Sequence, residues 1–207
     1  MGALLLVVGY GVRPDRTLEM DGRYPLPGVV DGLYSPEYDP AAERSFAWMS
    51  QQAHIVLPGL DRARAWDVLV HAAGMRPDAA TLPDLAVAIN GVVMVRERMT
   101  NDFRAVQTAI VPDVRGTRGV AISLRSSNTF VPGNGDSRHL GVVLDRVELR
   151  LADGGFPIAP PRAIAASALS GGILAVLFVS LGWPLWLVAT AVLVVVTVRP
   201  AWASTWR

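Results

Sequence analysis

The sequence contains neither cysteine nor lysine. None of its 207 residues is cysteine, and all 19 basic residues are arginine. Without cysteine the chain has no disulfide, no thiolate nucleophile and no cysteine-ligated metal. The 19 basic residues face 18 acidic ones, which leaves a formal net charge of +1. Such a balance gives no general field to attract a polyanion, so we expect no nucleic-acid partner.

Signatures of catalysis are also missing. The histidines at 54, 71 and 139 are isolated from one another and form no metal-binding pair. The serines lack the Gly-x-Ser-x-Gly elbow of a hydrolase, and the Gly133-Asn134-Gly135 stretch is too short for a phosphate loop. We therefore expect no catalysis from this chain alone.

Alternating apolar residues fill most of the first 150 positions. Period-two patterns predict strands, the clearest of which is residues 85–89 leading into Asn90-Gly91 and residues 92–95. Asn-Gly tolerates the positive φ angles of a tight hairpin turn. The other predicted strands are residues 44–49, 53–57, 66–74, 103–111, 120–125 and 143–151. Residues 13–40 are rich in Pro, Gly, Asp and Tyr and predict irregular structure, with short extended pieces near 29–30 and 33–34.

About eight short strands without an amphipathic helix between them predict a mainly β fold, an antiparallel jelly-roll β-sandwich. Trp48 and Trp66 lie within the alternation and are expected in its core. We divide the chain into a lead-in over residues 1–29, the sandwich over 30–153, a Pro/Gly linker over 154–162, two transmembrane helices over 163–199 and a tail over 200–207.

The transmembrane hairpin is predicted from a long uncharged run. Residues 164–198 contain no charged side chain, which exceeds what one helix needs to cross a bilayer. Gly182-Trp183-Pro184 divides the run in two, and tryptophans near the span ends favour the membrane interface. Small residues on one face of the first span would let another helix approach closely: Ala165, Ala166, Ala168, Gly171, Gly172 and Ala175.

The apolar residues 3–12 have two interpretations. They are either the end of a truncated signal anchor or a first buried strand, since no basic residue precedes them.

The stretch from Thr129 to Val147 is predicted to begin as a strand, to break into a glycine-rich loop and to resume as the last strand. In this loop Asp136 and Arg138 allow two interpretations. Arg138 could donate to sugar hydroxyls or a carboxylate, with Asp136 and Asn134 as further polar contacts. Alternatively, the pair holds the loop through backbone hydrogen bonds. The aromatic candidates for stacking on a sugar ring are Tyr34 and Tyr38.

A bound metal is a secondary expectation. Calcium needs six to eight oxygen ligands, and Asn128, Asn134, Asp136 and Asp145 could supply some of them. These residues follow no regular ligand spacing. We therefore expect no cofactor, with calcium at Asn128, Asp136 and Asp145 as the alternative.

Several short motifs resemble those of a known family. They are Gly32-Leu33-Tyr34 with Glu37, Phe46-Ala47-Trp48, Leu57-Pro58-Gly59, Ile89-Asn90-Gly91 and Phe130-Val131-Pro132-Gly133 with Asp136, Arg138, Leu140-Gly141-Val142 and Leu144-Asp145. Together they resemble the N-terminal extracytoplasmic jelly-roll region of bacterial multi-pass membrane glycosyltransferases, which are similar to the dolichyl-phosphate-mannose protein mannosyltransferase family. The chain departs from that family because its membrane part has no catalytic carboxylate and only one inter-span loop, Gly-Trp-Pro.

The resemblance implies an exported module that binds glycan or assists a membrane glycosyltransferase without being catalytic. Its β domain would lie on the extracytoplasmic side of the cell membrane, although the positive-inside rule applied to Arg162, Arg199 and Arg207 would place it in the cytoplasm. The alternative is a structural or interaction subunit of a larger membrane complex. The expected partners are glycan, other membrane-protein subunits and membrane lipid.

Overall fold

The computed structural model describes residues 16–22, 29–57, 60, 62–113, 119–133 and 135–154, with scattered positions between 165 and 182. The described part is mainly β, and every strand pairing is antiparallel, as predicted. The strands are β1 (Arg16–Glu19), β2 (Val30–Leu33), β3 (Glu37–Asp39), β4 (Arg44–Leu57), β5 (Trp66–Ala73), β6 (Asp84–Ile89), β7 (Val92–Arg98), β8 (Arg104–Ile110), β9 (Val120–Ser126) and β10 (Val143–Leu151).

The strands form two sheets that share β4. Sheet A has the order β8-β5-β10. The edge of β10 that faces away from β5 pairs first with β4 and then with β1. Sheet B has the order β7-β6-β9-β4-β2. The first half of β4 pairs with β10 and β3, and its second half pairs with β9 and β2. One long strand therefore connects the two sheets.

The core lies between the two sheets. Period-two alternation points Val68 and Val70 of sheet A and Ile55 and Ile122 of sheet B into one buried cluster. Trp66 is fully buried in that cluster, as expected. Trp48 is also buried, but it belongs to a second, smaller cluster with Leu140 and Val143.

The hairpin between β6 and β7 has the predicted turn. Asn90 has a φ of +51° and Gly91 a φ of +86°, which is the left-handed geometry that a tight hairpin requires. The Asn90 side chain also accepts a hydrogen bond from the Ala121 N–H at 2.9 Å and so attaches the turn to β9. The prediction for this hairpin is confirmed.

Three predictions about strands need correction. Residues 44–57 form one strand rather than two. Ser50 and Gln52 interrupt the apolar alternation, but the backbone stays paired on both sides of them, first with β10 and then with β9. Residues 13–40 are predicted to be irregular apart from short extended pieces near 29–30 and 33–34. They contain β2 close to those pieces, and also β1 and β3, which are stabilised by pairing with β10 and β4. The residues from Thr129 onward make an isolated bridge at Phe130 and Leu140 rather than a strand.

Two predicted segments fall outside the described residues. The possible signal anchor at residues 3–12 is one of them, and most of the predicted membrane hairpin at residues 163–199 is the other. Within the hairpin, a few positions are described as helical, and Leu169, Ile173 and Val176 among them are exposed. Among the described residues no helix combines the length and hydrophobicity needed to cross a membrane.

Candidate functional site

The loop of residues 127–142 folds over the outer face of sheet A. Its two arms are joined where Phe130 and Leu140 exchange backbone hydrogen bonds of 3.0 and 2.8 Å. Near the tip, the Asp136 N–H donates to the Gly133 carbonyl at 3.0 Å. The base of the loop is pressed against β4 at Gly141, where an added Cβ would lie 2.3 Å from the Ser50 carbonyl oxygen. Packing against β4 therefore holds the base of the loop, and hydrogen bonds between its arms position the tip.

Arg138 organises a polar cluster at the loop tip. Its Nε donates to both carboxylate oxygens of Asp136 at 3.0 Å, and its Nη2 donates to Asp136 Oδ2 at 2.7 Å. The Arg138 backbone N–H also donates to Asp136 Oδ1 at 3.0 Å. On its other side, Nη1 donates to Glu37 Oε1 of β3 at 2.9 Å. The cluster thus attaches the loop tip to β3.

The Tyr34 side chain packs beside this cluster. The Arg138 guanidinium carbon lies 5.5 Å from the centre of the Tyr34 ring, and the Tyr34 hydroxyl donates to the His139 carbonyl at 3.3 Å. We refer to Tyr34, Glu37, Asp136 and Arg138 as the Tyr34 site. Only three of the five N–H bonds of Arg138 are needed for its two carboxylate partners. The side chains of Arg138, Glu37 and Asp136 are each partly exposed to solvent.

A groove begins at Tyr34 and runs along β2. Its volume is about 320 Å³, and its lining residues are Gly22 and residues 30–36. Gly32 lets β2 approach β4 closely, because a Cβ there would lie 2.1 Å from the Gln52 carbonyl oxygen. Asp31 and Ser35 supply polar groups, and Leu33 supplies an apolar one. Aromatic, apolar and hydrogen-bonding groups are thus all available to a small ligand.

Asp136 and Arg138 stabilise each other's charged forms. Hydrogen bonds from the Arg138 side chain and backbone hold the pKa of Asp136 below its usual range. The bonds to Asp136 and Glu37 raise the pKa of Arg138 above its usual range. Both groups therefore keep fixed charges at neutral pH, whereas a general acid or base needs a pKa near the working pH. Asp136 and Arg138 are therefore suited to charged hydrogen bonds with hydroxyls rather than to proton transfer.

The Tyr34 site rests on a small aromatic cluster. Trp48 and Phe130 meet edge to face, with ring centres 5.7 Å apart, and Tyr34 and Phe46 pack against the same group. Beneath the loop lies Arg76, which is only 4% exposed and stacks 4.4 Å from the centre of the Phe130 ring. The loop is therefore supported by packing as well as by its ion pairs.

Arg76 is buried, and among the described residues its side chain bonds carbonyl and amide oxygens rather than a carboxylate. Its Nη1 donates to the carbonyls of Gly74 and Gly141 at 3.0 and 2.8 Å, and its Nη2 contacts the carbonyl and side-chain oxygens of Asn128 at 3.4 and 3.3 Å. Burial lowers the pKa of Arg76 to about 10. This side chain joins three separate chain segments at the base of the loop.

A second group of charges covers the outer face of sheet A. Glu148 accepts hydrogen bonds from Arg146 at 2.7 Å and from Arg150, and its carboxylate lies 3.1 Å from His71 Nε2. Asp145 is buried at the point where the pairing of β10 with β5 shifts register, and it accepts a 2.7 Å hydrogen bond from Arg146. The arginines and carboxylates of this group pair with one another, whereas His71 Nε2 approaches Glu148 without forming a hydrogen bond.

The structure brings together three of the five predicted ligand-binding residues. Tyr34, Asp136 and Arg138 meet, whereas Tyr38 follows Glu37 directly in β3 and so points to the opposite face. Tyr38 is 62% exposed there. Asn134 lies outside the described residues.

The three predicted calcium ligands each contact a different arginine. Asp136 binds Arg138, Asp145 binds Arg146, and Asn128 contacts Arg76. In the described part of the chain, no three acidic or histidine side chains are grouped to hold a metal ion. Calcium binding stays a prediction.

Sequence reasoning did not select Glu37 or Arg76 as site residues. Glu37 lies 101 positions from Arg138, so no local pattern could pair them. Arg76 follows Met75, which has a positive φ of +44°. Nothing in the residue types around this turn indicates that the arginine is buried.

Comparisons with known proteins give fold-level similarities only. No known family profile and no curated protein matches the sequence. Among solved structures, the C-terminal CBM6 module of LamC, a marine laminarinase from Zobellia galactanivorans, aligns with 66% of this chain and 98% of that chain, at 8% identity and a TM-score of 0.41. A family 35 carbohydrate-binding module from Clostridium thermocellum aligns with 68% of this chain and 100% of that chain, at 7% identity and a TM-score of 0.43. None of these comparisons matches the chain to a membrane glycosyltransferase, so that predicted relationship stays a prediction.

Proposed function

We propose that the sandwich is a non-catalytic module that binds glycan at the Tyr34 site. The observation that carries this proposal is the position of the Tyr34 ring, beside Arg138, Asp136 and Glu37, at the start of a groove of about 320 Å³. A sugar offers an apolar ring face and a rim of hydroxyls. The aromatic ring suits the first, and the charged hydrogen-bonding groups suit the second.

The test is calorimetric titration of the purified protein with neutral oligosaccharides selected on a glycan array. We expect Tyr34→Ala and Arg138→Gln each to weaken binding at least tenfold. Tyr38→Ala is the matched control, because it removes a more exposed tyrosine that lies on the face of β3 opposite Glu37. Binding that survives Tyr34→Ala and Arg138→Gln, in protein whose circular dichroism is unchanged, would contradict the proposal.

The proposal includes a location and a working partner. Residues 163–199 would hold the module at the cell membrane with the sandwich on the extracytoplasmic side, beside a membrane glycosyltransferase. The absence of charge over residues 164–198 and the resemblance described above support this. We expect the native protein to resist extraction with alkaline carbonate, and the sandwich to be digested by protease added outside intact spheroplasts. Recovery in the carbonate supernatant, or protection of the sandwich, would contradict this part.

A second candidate function is that of an interaction subunit in a larger membrane complex. It is favoured by the exposed helical positions Leu169, Ile173 and Val176, which share one face at spacings of four and three residues. Replacing all three with serine is expected to release a co-purifying partner while glycan binding at the Tyr34 site stays intact. An unchanged co-purification profile would reject this candidate.

A further inference from the structure

Two arginines flank an alanine on the outer face of sheet B. Ala86 of β6 lies directly opposite Arg96 of β7 on one side and opposite Arg125 of β9 on the other. Residues directly opposite one another in a sheet point to the same face, and neighbouring strands lie about 4.8 Å apart. The two arginine backbones are therefore roughly 10 Å apart, with the shortest apolar side chain between them. Both guanidinium groups can reach over Ala86.

These two arginines differ from the others in the structure. In the described parts of the chain, every other arginine contacts an acidic side chain, a carbonyl or another partner. The side chains of Arg96 and Arg125 make no hydrogen bond or ion pair with any described residue, and both residues are exposed. A row of two like charges without a counter-charge is unfavourable by itself. The unpaired cations are thus concentrated at one place in a chain that otherwise pairs them.

A groove of about 280 Å³ lies at this place. It is lined by Asp84, Ala86, Arg96, Arg125 and Ser127. The Ser127 hydroxyl oxygen accepts a hydrogen bond from the Asp84 N–H at 2.9 Å, which leaves its own hydrogen available to donate. The Asp84 carboxylate lies 3.6 Å from Arg98 Nη1, so its charge is offset from outside the groove. The remaining groups are two guanidinium groups and one hydroxyl donor.

We propose that the Arg96-Ala86-Arg125 groove binds an oxyanion, which is either the carboxylate of an acidic sugar or a free inorganic phosphate or sulfate. Guanidinium groups match the oxygen atoms of such anions through paired hydrogen bonds, and a lysine in the same place would act only as a point charge. The short Ala86 side chain leaves space for the anion between the two arginines. This site shares no residue with the Tyr34 site, because β9 and β4 separate β6 from β2, and it does not rest on glycan binding there.

The experiment titrates the full chain with three probes, followed by calorimetry and by the nitrogen-15 signals of the arginine side chains. The probes are sodium sulfate, sodium phosphate and a galacturonic-acid trisaccharide, with a neutral galactose trisaccharide as the comparison. We expect at least one oxyanion probe to bind and to shift two arginine Nε signals. The double variant Arg96→Gln/Arg125→Gln is expected to weaken that binding at least tenfold. A preference for the acidic trisaccharide over its neutral counterpart would assign the anion to a sugar, and binding of phosphate or sulfate alone would assign it to the free ion.

Two controls separate this site from general charge and from the Tyr34 site. Arg64→Gln/Arg150→Gln removes the same charge from ion pairs outside the groove and is expected to leave oxyanion binding within twofold. Arg96→Lys/Arg125→Lys keeps the charge but removes the paired guanidinium donors. It is expected to recover less than half of the binding free energy that Arg96→Gln/Arg125→Gln loses. Equal weakening by both glutamine pairs, or no oxyanion binding by the wild type, would overturn the proposal. The effect of Tyr34→Ala on neutral-glycan binding is measured separately, so failure of the oxyanion proposal and failure of the glycan proposal are distinguishable.

Discussion

Arg76 is a single side chain that connects the segment at Gly74 to both ends of the 127–142 loop. It bonds the carbonyls of Gly74 and Gly141 and both oxygens of Asn128, and Phe130 covers its flat face. A buried guanidinium is costly to desolvate, but its removal leaves buried carbonyls without donors. The residue therefore fixes the base of the loop that carries Arg138, at a distance from the Tyr34 site itself.

We predict that Arg76→Met lowers the free energy of unfolding by about 2–4 kcal/mol, because the orphaned carbonyls lose their donors. Urea denaturation measures the change. Arg98→Met is the control, since Arg98 is mostly exposed and its ion pair with Asp84 is a surface contact of about 0–1 kcal/mol. Equal losses in the two variants would show that Arg76 contributes no more than a surface charge.

At the scale of the element, the pairing of β2 with β4 depends on a glycine. Gly32 has a φ of +80°, and a Cβ at this position would overlap the Gln52 carbonyl. Gly91 has a similar φ of +86°, but a Cβ there meets nothing within 4 Å. The two positions therefore separate backbone strain from a steric clash.

We predict that Gly91→Ala costs about 1–2 kcal/mol of unfolding free energy from the left-handed backbone alone. Gly32→Ala is expected to cost at least about 2 kcal/mol more, because β2 must move away from β4. Thermal and urea unfolding of both variants provide the comparison. If the losses are the same, close packing between β2 and β4 contributes nothing.

The charges on the outer face of sheet A make stability depend on pH. Burial and the neighbouring Arg146 lower the pKa of His71, so the folded protein binds this proton less tightly than the unfolded chain. Stability is then lost as the pH falls through the ordinary histidine value near 6.5.

Burial raises the pKa of Glu148, but hydrogen bonds from Arg146 and Arg150 outweigh it and lower the net value. A second loss follows below about pH 4.5. Glu19, whose pKa is raised by burial and by Asp145, acts in the opposite direction.

We predict that the urea midpoint of the wild type falls between pH 7.5 and 5.5, and that His71→Gln flattens this part of the curve. The loss below pH 4.5 is expected to persist in His71→Gln, because it belongs to Glu148. The same slope between pH 7.5 and 5.5 in both proteins would assign that dependence to other groups.

Local chemistry explains which elements could be predicted from the sequence. The Asn90-Gly91 hairpin and the bond between Asp136 and Arg138 involve residues one or two positions apart, so short motifs were enough to find them. By contrast, β1 and β3 exist because β10 and β4 provide their partners. Likewise, no local pattern indicates that Ala86 has an arginine on each side, because that depends on the register of three strands.

At the scale of the whole molecule, the shared strand β4 and a common core link the two sheets. Ile110 of sheet A and Ile122 of sheet B belong to the same buried cluster. We expect Ile110→Ala and Ile122→Ala each to cost about 2–5 kcal/mol and to shift one unfolding transition seen alike by tryptophan fluorescence and circular dichroism. A variant whose two probes give separate transitions would show that the sheets unfold independently.

The place of β10 in sheet A has a mechanical consequence. The last strand, β10, ends at Leu151 and is bonded to β5 along one edge and to β4 and β1 along the other. Tension applied from the C-terminal side therefore pulls β10 along its own axis from between its neighbours. Its hydrogen bonds on both edges must then break together, whereas an edge strand peels away one bond at a time. A sandwich tethered through residues 154–162 would resist a steady pull better than one tethered through the edge strand β7.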